Sequence, residues 1–296
     1  VAGVAAGLFG ARFLGLRLMH TDRIDVPVYA FQTDLTGGDV LQGARRLVER
    51  ARTNARTAGC GHVEIHEGLM EALPFPDASV DVVVSNAGIY EMVPFEELSV
   101  EQWRRMLQIH LDGAFYLSQP AFRAMRAQGY GRLVMVASQI GAFGQELTAH
   151  YGSAKGGIIG LTGALATEGA AHGIRANAIL PIGQTRMMTG SLEDREPNPI
   201  VDALFTETTP ERVVPMVTYL ASRDCAVNKH FYSAAAGRFA RVFVGLGAGW
   251  LADRDVTPTA EDIAEHLEEI DDLEGFTVPT NSQDEIIGLL KLLGIL

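Results

Sequence analysis

Cysteine is nearly missing from this chain, with Cys60 and Cys225 its only two. That excludes a disulfide framework and a metal site built mainly from thiolates, and makes a reducing cytoplasm the expected compartment. Positive charge is scarce as well: 24 Lys+Arg stand against 36 Asp+Glu, a formal net charge of -12. Nucleic-acid phosphates and anionic membrane surfaces both demand clustered Lys and Arg, so neither is an expected partner. No run is long and apolar enough to span a bilayer, since the longest stretch free of Asp, Glu, Lys and Arg is the 13 residues Leu133 to Gln145. The apolar opening Val1 to Ala11 has no basic segment before it and is followed by Arg12 and Arg17, so it reads as a first strand and turn rather than a signal peptide. Fixed-period repeats and low-complexity linkers are also lacking.

What the chain does have is an ordinary globular composition, 47% hydrophobic, with 32 glycines, several of them where apolar runs end. Such positions suit tight turns and close backbone approach to a ligand. Short β-branched runs predict strands at Val26 to Phe31, His62 to Ile65, Val80 to Ser85, Leu133 to Ala137, Ile174 to Leu180 and Arg241 to Val244. Between them, helical periodicity covers Asp39 to Thr57, Ser99 to Gln128, Ala149 to Ala171 and Glu211 to Ser222, with Thr259 to Ile270 and Asp284 to Leu296 as a tail. Strands apolar on both faces and separated by helices imply a parallel sheet covered on both sides. The expected fold is therefore a doubly wound α/β domain of Rossmann type, three layers over residues 1–250, followed by a helical extension, 251–296.

The chemistry concentrates in Tyr151-Gly-Ser-Ala-Lys155, with Ser138 thirteen residues earlier at a strand end. Residues four apart share a helix face, so the Lys155 ammonium can approach the Tyr151 phenol and draw its pKa down, as a general acid/base for an alcohol or ketone requires. Ser138 can hydrogen-bond the same substrate oxygen. Alone, Tyr-x-x-x-Lys is a common pattern. Here it is accompanied by Asn86-Ala87-Gly88 after one strand, by Gly131-Arg-Leu-Val-Met-Val-Ala-Ser138, and by Asn177-Ala-Ile-Leu-Pro181-Ile-Gly183.

In that order and spacing, these motifs resemble the short-chain dehydrogenase/reductase family from about Val80 to Trp250. Ile109 to Phe115, Gln128 to Arg132, Thr185 to Met187 and Val244 to Trp250 resemble the (3R)-hydroxyacyl-CoA dehydrogenase branch, that of the peroxisomal multifunctional enzymes and their bacterial relatives. The tail from Thr259 to Thr280 resembles actinobacterial members, which implies a bacterial cytoplasm. The resemblance implies NAD(P)-dependent interconversion of a secondary alcohol and a ketone, including a 3-hydroxyacyl thioester. Tyr151 would move the proton, Lys155 would hold the nicotinamide ribose and Ser138 would position the substrate oxygen. Where most of the family has Asn, this chain has His110, which reads equally as a fourth catalytic residue and as a buried structural histidine. Asn86, Ala87 and Gly88 would admit the adenosine end of the cofactor, and Pro181 to Gly183 would meet the nicotinamide. Family members commonly pair helices across a two-fold axis, so a homodimer or homotetramer is expected.

The first eighty residues fit this pattern least. The family's phosphate turn is Gly-x-x-x-Gly-x-Gly, and here Gly3 and Gly7 match while Phe9 takes the third place and Gly10 follows. Asp34 stands where a carboxylate accepts the adenosine ribose hydroxyls, which favours NAD over NADP, yet it serves equally as a helix cap. Residues Ala44 to Asn86, above all Glu71 to Asn86, also resemble a segment of class I S-adenosylmethionine methyltransferases. Two alternatives follow: a methyltransferase-like binder of that cofactor, and a non-catalytic dinucleotide-binding scaffold.

Overall fold

A computed structural model describes residues 3–7, 28–31, 80–183 and 206–296, the first two segments as strand backbone. The chain divides into two compact units, Val1–Arg241 and Val242–Leu296. The first unit opens with β1 (Gly3–Gly7), β2 (Val28–Phe31) and β3 (Val80–Ser85). Then come helix α1 (Val100–Leu107), a π-turn over Gln108–Asp112, α2 (Gly113–Gln128) and β4 (Gly131–Val136). Short α3 (Gln139–Phe143), long α4 (Ala149–Gly169) and β5 (Ile174–Ile182) follow, and α5 (Val214–Ala221), β6 (Phe231–Ala235) and β7 (Arg238–Val242) close the order. The sheet runs β2-β1-β3-β4-β5-β6-β7. Every pairing from β2 through to β6 is parallel. Only β7 turns back, through Ala236 and Gly237, both at positive φ as a two-residue hairpin demands.

Both faces of the sheet are covered. Leu133 of β4 packs with Val80, Val83, Ile174 and Ala176 under Leu117, Ala121 and Met125 of α2 and Ala166 of α4. Val134, the next residue along, points to the opposite layer with Ile179, Val213, Leu220 and Ala234. This alternation is the two-residue period of a strand, and β4, with a neighbour on each side and helices above and below, is buried along its whole length. Glycine brings the layers close at one turn in particular. Gly173, at φ 70°, ends the α4 segment where a Cβ would lie 2.3 Å from the Gly129 carbonyl oxygen.

The doubly wound parallel sheet expected from the sequence is therefore present, with differences in its parts. The helix predicted from Ser99 to Gln128 is one column broken by the π-turn. Its start is the anticipated cap: Gln102 N donates to Ser99 Oγ at 3.2 Å and Ser99 N to Gln102 Oε1 at 3.1 Å. The strand placed at Arg241 to Val244 lies instead at Arg238–Val242, and β6 escaped the sequence reading because Ser233, Ala234 and Ala235 carry little β-branched signal. Pro181 sits inside β5 without loss, because it lies past the last β4 partner, Val136 to Ile179, on the stretch paired with β6. The predicted elements Asp39 to Thr57 and His62 to Ile65 lie outside the described residues.

The second unit begins at Val242, so Phe243 to Trp250, assigned above to the main domain, group with the tail. It holds α6 (Ala260–Glu265), α7 (Leu267–Ile270) and α8 (Ser282–Leu292). Phe243 stacks on Phe276 at 5.4 Å, Trp250 on His266 at 4.0 Å, and Leu246 bridges to Thr277. Among the described residues no helix is long and apolar enough to cross a membrane.

Candidate active site

Because β1 and β3 to β5 are parallel, their C-terminal ends share one edge of the sheet, and the chain leaves β1 outward to β2 before returning to β3. Ligands of open α/β sheets sit at such a reversal. Asn86, Ala87 and Gly88 leave β3 on this edge, Ser138 leaves β4, and Pro181 to Gly183 end β5. Gly7 is the last residue of β1, one past the Ala6 that pairs with Val84, and Gly3 is its first, at the far end of the strand. Gly3 and Gly7 are thus strand residues of β1, not members of a turn that follows it. Phe9, Gly10 and Asp34 lie outside the described residues.

Ser138, Tyr151 and Lys155 are all buried here, at 5%, 9% and 3% exposure. Ser138 caps α3, its Oγ accepting from Ile140 N at 3.2 Å. A Cβ on Gly141 would lie 2.6 Å from backbone atoms of Lys155 and Gly156, so only glycine lets α3 touch the backbone of α4. That contact brings Ser138 near Tyr151, whose phenol pKa the serine side chain draws down, while Ser138 Oγ donates to Gln139 Oε1 at 3.3 Å. Tyr151 packs with Met106, Ile140 and Ala154, and two rings meet it edge to face: Tyr90 at 5.1 Å and His110 at 5.3 Å. Lys155 Nζ donates to the Val136 carbonyl at 2.7 Å and lies 5.7 Å from the Tyr151 ring centre.

Burial governs the charges. It pushes the Tyr151 phenol up to about 12, with the Ser138 side chain pulling the other way, and holds the Lys155 ammonium down to about 7. The expected lowering of Tyr151 by Lys155 is thereby reversed: the ammonium faces a backbone carbonyl, and loss of water outweighs the ion. At neutral pH the phenol keeps its proton and can give it away.

His110 sits in the π-turn, where one extra residue per turn re-aims a side chain, a frequent arrangement at functional sites. Its Nε2 lies 2.8 Å from the Ile89 carbonyl and 3.1 Å from the Ile89 amide. Burial lowers its pKa to about 3, so the ring is neutral. Gly88 faces this ring rather than open space, since a Cβ there would lie 2.3 Å from His110 Cε1. Gly88→Ala is accordingly expected to cost about 1–3 kcal/mol of stability, because the imidazole must leave its place. Denaturant unfolding checks this, and an unchanged midpoint would refute it.

Sequence reasoning passed over two contributors: Tyr90, whose hydroxyl accepts from Gln145 Nε2 at 3.0 Å, carried no motif, and the Gly141 contact is visible only once α3 and α4 are packed. For a nicotinamide cofactor the described half of the site fits. Lys155 has spent one of its three N–H donors, leaving two for a ribose diol, and the ends of β3 and β5 flank it. Among the described residues no cluster of three or more His, Cys, Asp or Glu could hold a metal.

The doubly wound sheet thus sets Ser138, Tyr151 and Lys155, all buried, beside its C-terminal edge. The sequence matches the family described as short chain dehydrogenase over residues 63–197. It is 39% identical over 197 residues to a short-chain type dehydrogenase/reductase of Mycobacterium tuberculosis, covering 67% of this chain and 65% of that protein. It is 38% identical over 165 residues to acetoacetyl-CoA reductase of Rhizobium meliloti, covering 54% and 68%. The full-length peroxisomal multifunctional enzyme type 2 of Drosophila melanogaster superposes with a TM-score of 0.77 at 24% identity, covering 99% of this chain and 49% of that one, a likeness of fold. The chain belongs to the short-chain dehydrogenase family. It spans less than two thirds of the Mycobacterium protein's length and about half of the Drosophila enzyme's. The family match includes Glu71 to Asn86, the segment that also resembles a methyltransferase.

Proposed function

We propose that this chain interconverts a secondary alcohol and a ketone with NAD(P), and that the substrate is a 3-hydroxyacyl or 3-oxoacyl thioester. The observation that carries the reading is the buried set of Ser138, Tyr151 and Lys155 on the edge where a dinucleotide binds. The thioester rests on the similarity to an acetoacetyl-CoA reductase, and the preference for NAD on Asp34, three residues past β2 in sequence. Lys155 holds the ribose hydroxyls through its two remaining donors. Ser138 and Tyr151 hold the substrate oxygen, and Tyr151 Oη gives its proton to that oxygen in reduction or takes one from it in oxidation. The nicotinamide supplies or receives the hydride. Tight packing around the phenol by Met106, Ile140 and Ala154 keeps water away from it.

The test is acetoacetyl-CoA with NADH or NADPH, followed by loss of the reduced nicotinamide's absorbance. Turnover, faster with NADH, is expected. Binding of either dinucleotide without turnover of any ketone would leave a scaffold, and binding of S-adenosylmethionine in their place would leave a methyltransferase-like protein; either result overturns the reading.

We also propose a closed homodimer or homotetramer, in a bacterial cytoplasm. Phe115 and Tyr116 on α2 are 43% and 40% exposed, apolar surface that a second copy would cover. Light scattering at micromolar concentration should give two or four times 31.9 kDa, and a mass of 31.9 kDa unchanged on dilution would end the idea.

A further inference from the structure

Leu147, on the loop between α3 and α4, holds a left-handed backbone at φ 61°, a conformation that a branched residue adopts at a cost and that folds retain where a site needs it. Two hydrogen bonds fix it there: the Leu147 carbonyl accepts from Val93 N at 2.8 Å, and Thr148 Oγ1 donates to the Gln145 carbonyl at 2.7 Å. Held this way, the loop lies against the segment that follows β3, and Gln145 Nε2 donates to Tyr90 Oη at 3.0 Å. The Tyr90 ring in turn meets the Tyr151 ring edge to face, with 5.1 Å between centres and 89° between planes. The strained loop is thereby joined, through two side chains, to the group that moves the proton.

A tyrosine hydroxyl both accepts and donates. Because Gln145 supplies the donor to Tyr90 Oη, the phenol's own hydrogen is directed away from that amide and toward a third atom. Burial raises the Tyr90 pKa, so at neutral pH this hydrogen is in place. Tyr90 packs half-buried on the cluster of Met106, Ile140, Tyr151 and Ala154, while its partner Gln145 is exposed. The side chain therefore reaches from the packed phenol to its open side, where the rest of a substrate must lie once the reacting oxygen is on Tyr151. In a 3-oxoacyl thioester a second carbonyl stands one methylene from the ketone, close enough for a neighbouring ring to serve it.

We propose that Tyr90 is a specificity-determining residue for a substrate with two oxygens: while Tyr151 serves the ketone, Tyr90 Oη, aimed by Gln145, donates to the thioester carbonyl oxygen. The proposal rests on the reading of the substrate as a 3-oxoacyl thioester and deepens it, by naming the group that tells such a substrate from a ketone with one oxygen. Gln145 is a positioning residue, acting through Tyr90. No bond is made or broken at Tyr90, whose hydrogen stays on Oη in both directions of the reaction. A donor set for a substrate oxygen is left unpaired by an analogue that lacks it, and discrimination arises from that loss.

The probes are acetoacetyl-CoA and S-(3-oxobutyl)-CoA, a thioether with the same ketone and the same carrier but without the thioester oxygen. Measuring kcat/KM for each with NADH, in the parent, Tyr90→Phe, Gln145→Ala and the double variant, gives a preference in which the different intrinsic reactivities of the two ketones cancel between proteins. Tyr90→Phe keeps the ring that meets Tyr151 and is expected to fold as the parent does. It should lower the preference for the thioester about tenfold and Gln145→Ala about threefold, with the double variant falling no further than Tyr90→Phe alone. If the thioether turns over too slowly to follow, its inhibition constant against acetoacetyl-CoA supplies the same comparison. A merely structural role would slow both substrates alike, so an unchanged preference in Tyr90→Phe overturns the proposal, and losses that add in the double variant overturn the part given to Gln145. Failure of the parent to reduce acetoacetyl-CoA, or activity retained by Tyr151→Phe, would overturn the reading of the site instead, and this role with it.

Discussion

Tyr151→Phe is expected to lower turnover about a thousandfold in either direction while leaving the fold and the dinucleotide affinity nearly unchanged. The change removes one hydroxyl and keeps the ring, whose contacts with Met106, Ile140 and Ala154 and whose edge-to-face meetings with Tyr90 and His110 are all made by carbon. Stability should move by no more than about 1 kcal/mol, the usual worth of a single buried hydroxyl's interactions. Turnover has no such reserve, because among the groups crowding this edge Ser138 is a weaker acid, and His110 at about 3 carries no excess proton at neutral pH. Since burial raises the phenol to about 12, the parent is poised to donate, so reduction should proceed at neutral pH and oxidation should quicken as pH rises. Steady-state rates for both directions, with a calorimetric titration of NADH, check this. A Phe variant within about tenfold of the parent would mean that another group delivers the proton.

How far this site was legible in advance differs residue by residue. Val80 to Ser85 was read with its observed limits, and the start of β5 at Ile174 was read correctly, because a strand buried on both faces shows as an unbroken β-branched run. Tyr151 and Lys155 were legible for a simpler reason: four residues apart on any helix they share a face. The direction of the Tyr151 shift was not. It depends on how much water Met106, Ile140 and Ala154 exclude and on the Val136 carbonyl capturing the ammonium, neither of which a spacing encodes. His110 stood evenly between two readings. The π-turn carries it into the interior, and no residue type in Gln108 to Asp112 marks such a turn in the sequence. Gly88, which the resemblance places beside the cofactor, also makes room for the imidazole through its missing side chain. The pairing of a histidine on one element with a glycine on another is a tertiary fact, invisible until both are placed.

Lys155→Met should make the protein more stable at pH 6 and functionally blind to the dinucleotide. In the parent an ammonium is enclosed at 3% exposure with a single hydrogen bond, and burial holds its pKa near 7 against an unfolded value of 10.5. Between those pH values the unfolded chain carries the extra proton, so parent stability rises with pH across the window and is lowest at and below about pH 7. The penalty at pH 6 is on the order of 5 kcal/mol. Methionine fills a similar volume without charge, but it strands the Val136 carbonyl, which costs about 1–3 kcal/mol. The net expectation is a variant more stable by a few kcal/mol at pH 6, with the advantage shrinking as pH rises above 7 and reversing between about pH 8 and 10, where the remaining burial penalty falls below the cost of the stranded carbonyl. Denaturant unfolding of the two apoproteins at several pH values follows the crossing directly. Losing both donors meant for the ribose should weaken NADH at least about tenfold and abolish measurable turnover. A variant less stable than the parent at pH 6 would show that the lysine is stabilised in its pocket rather than merely tolerated there. If it also bound NADH normally, Lys155 would lose its place in the site.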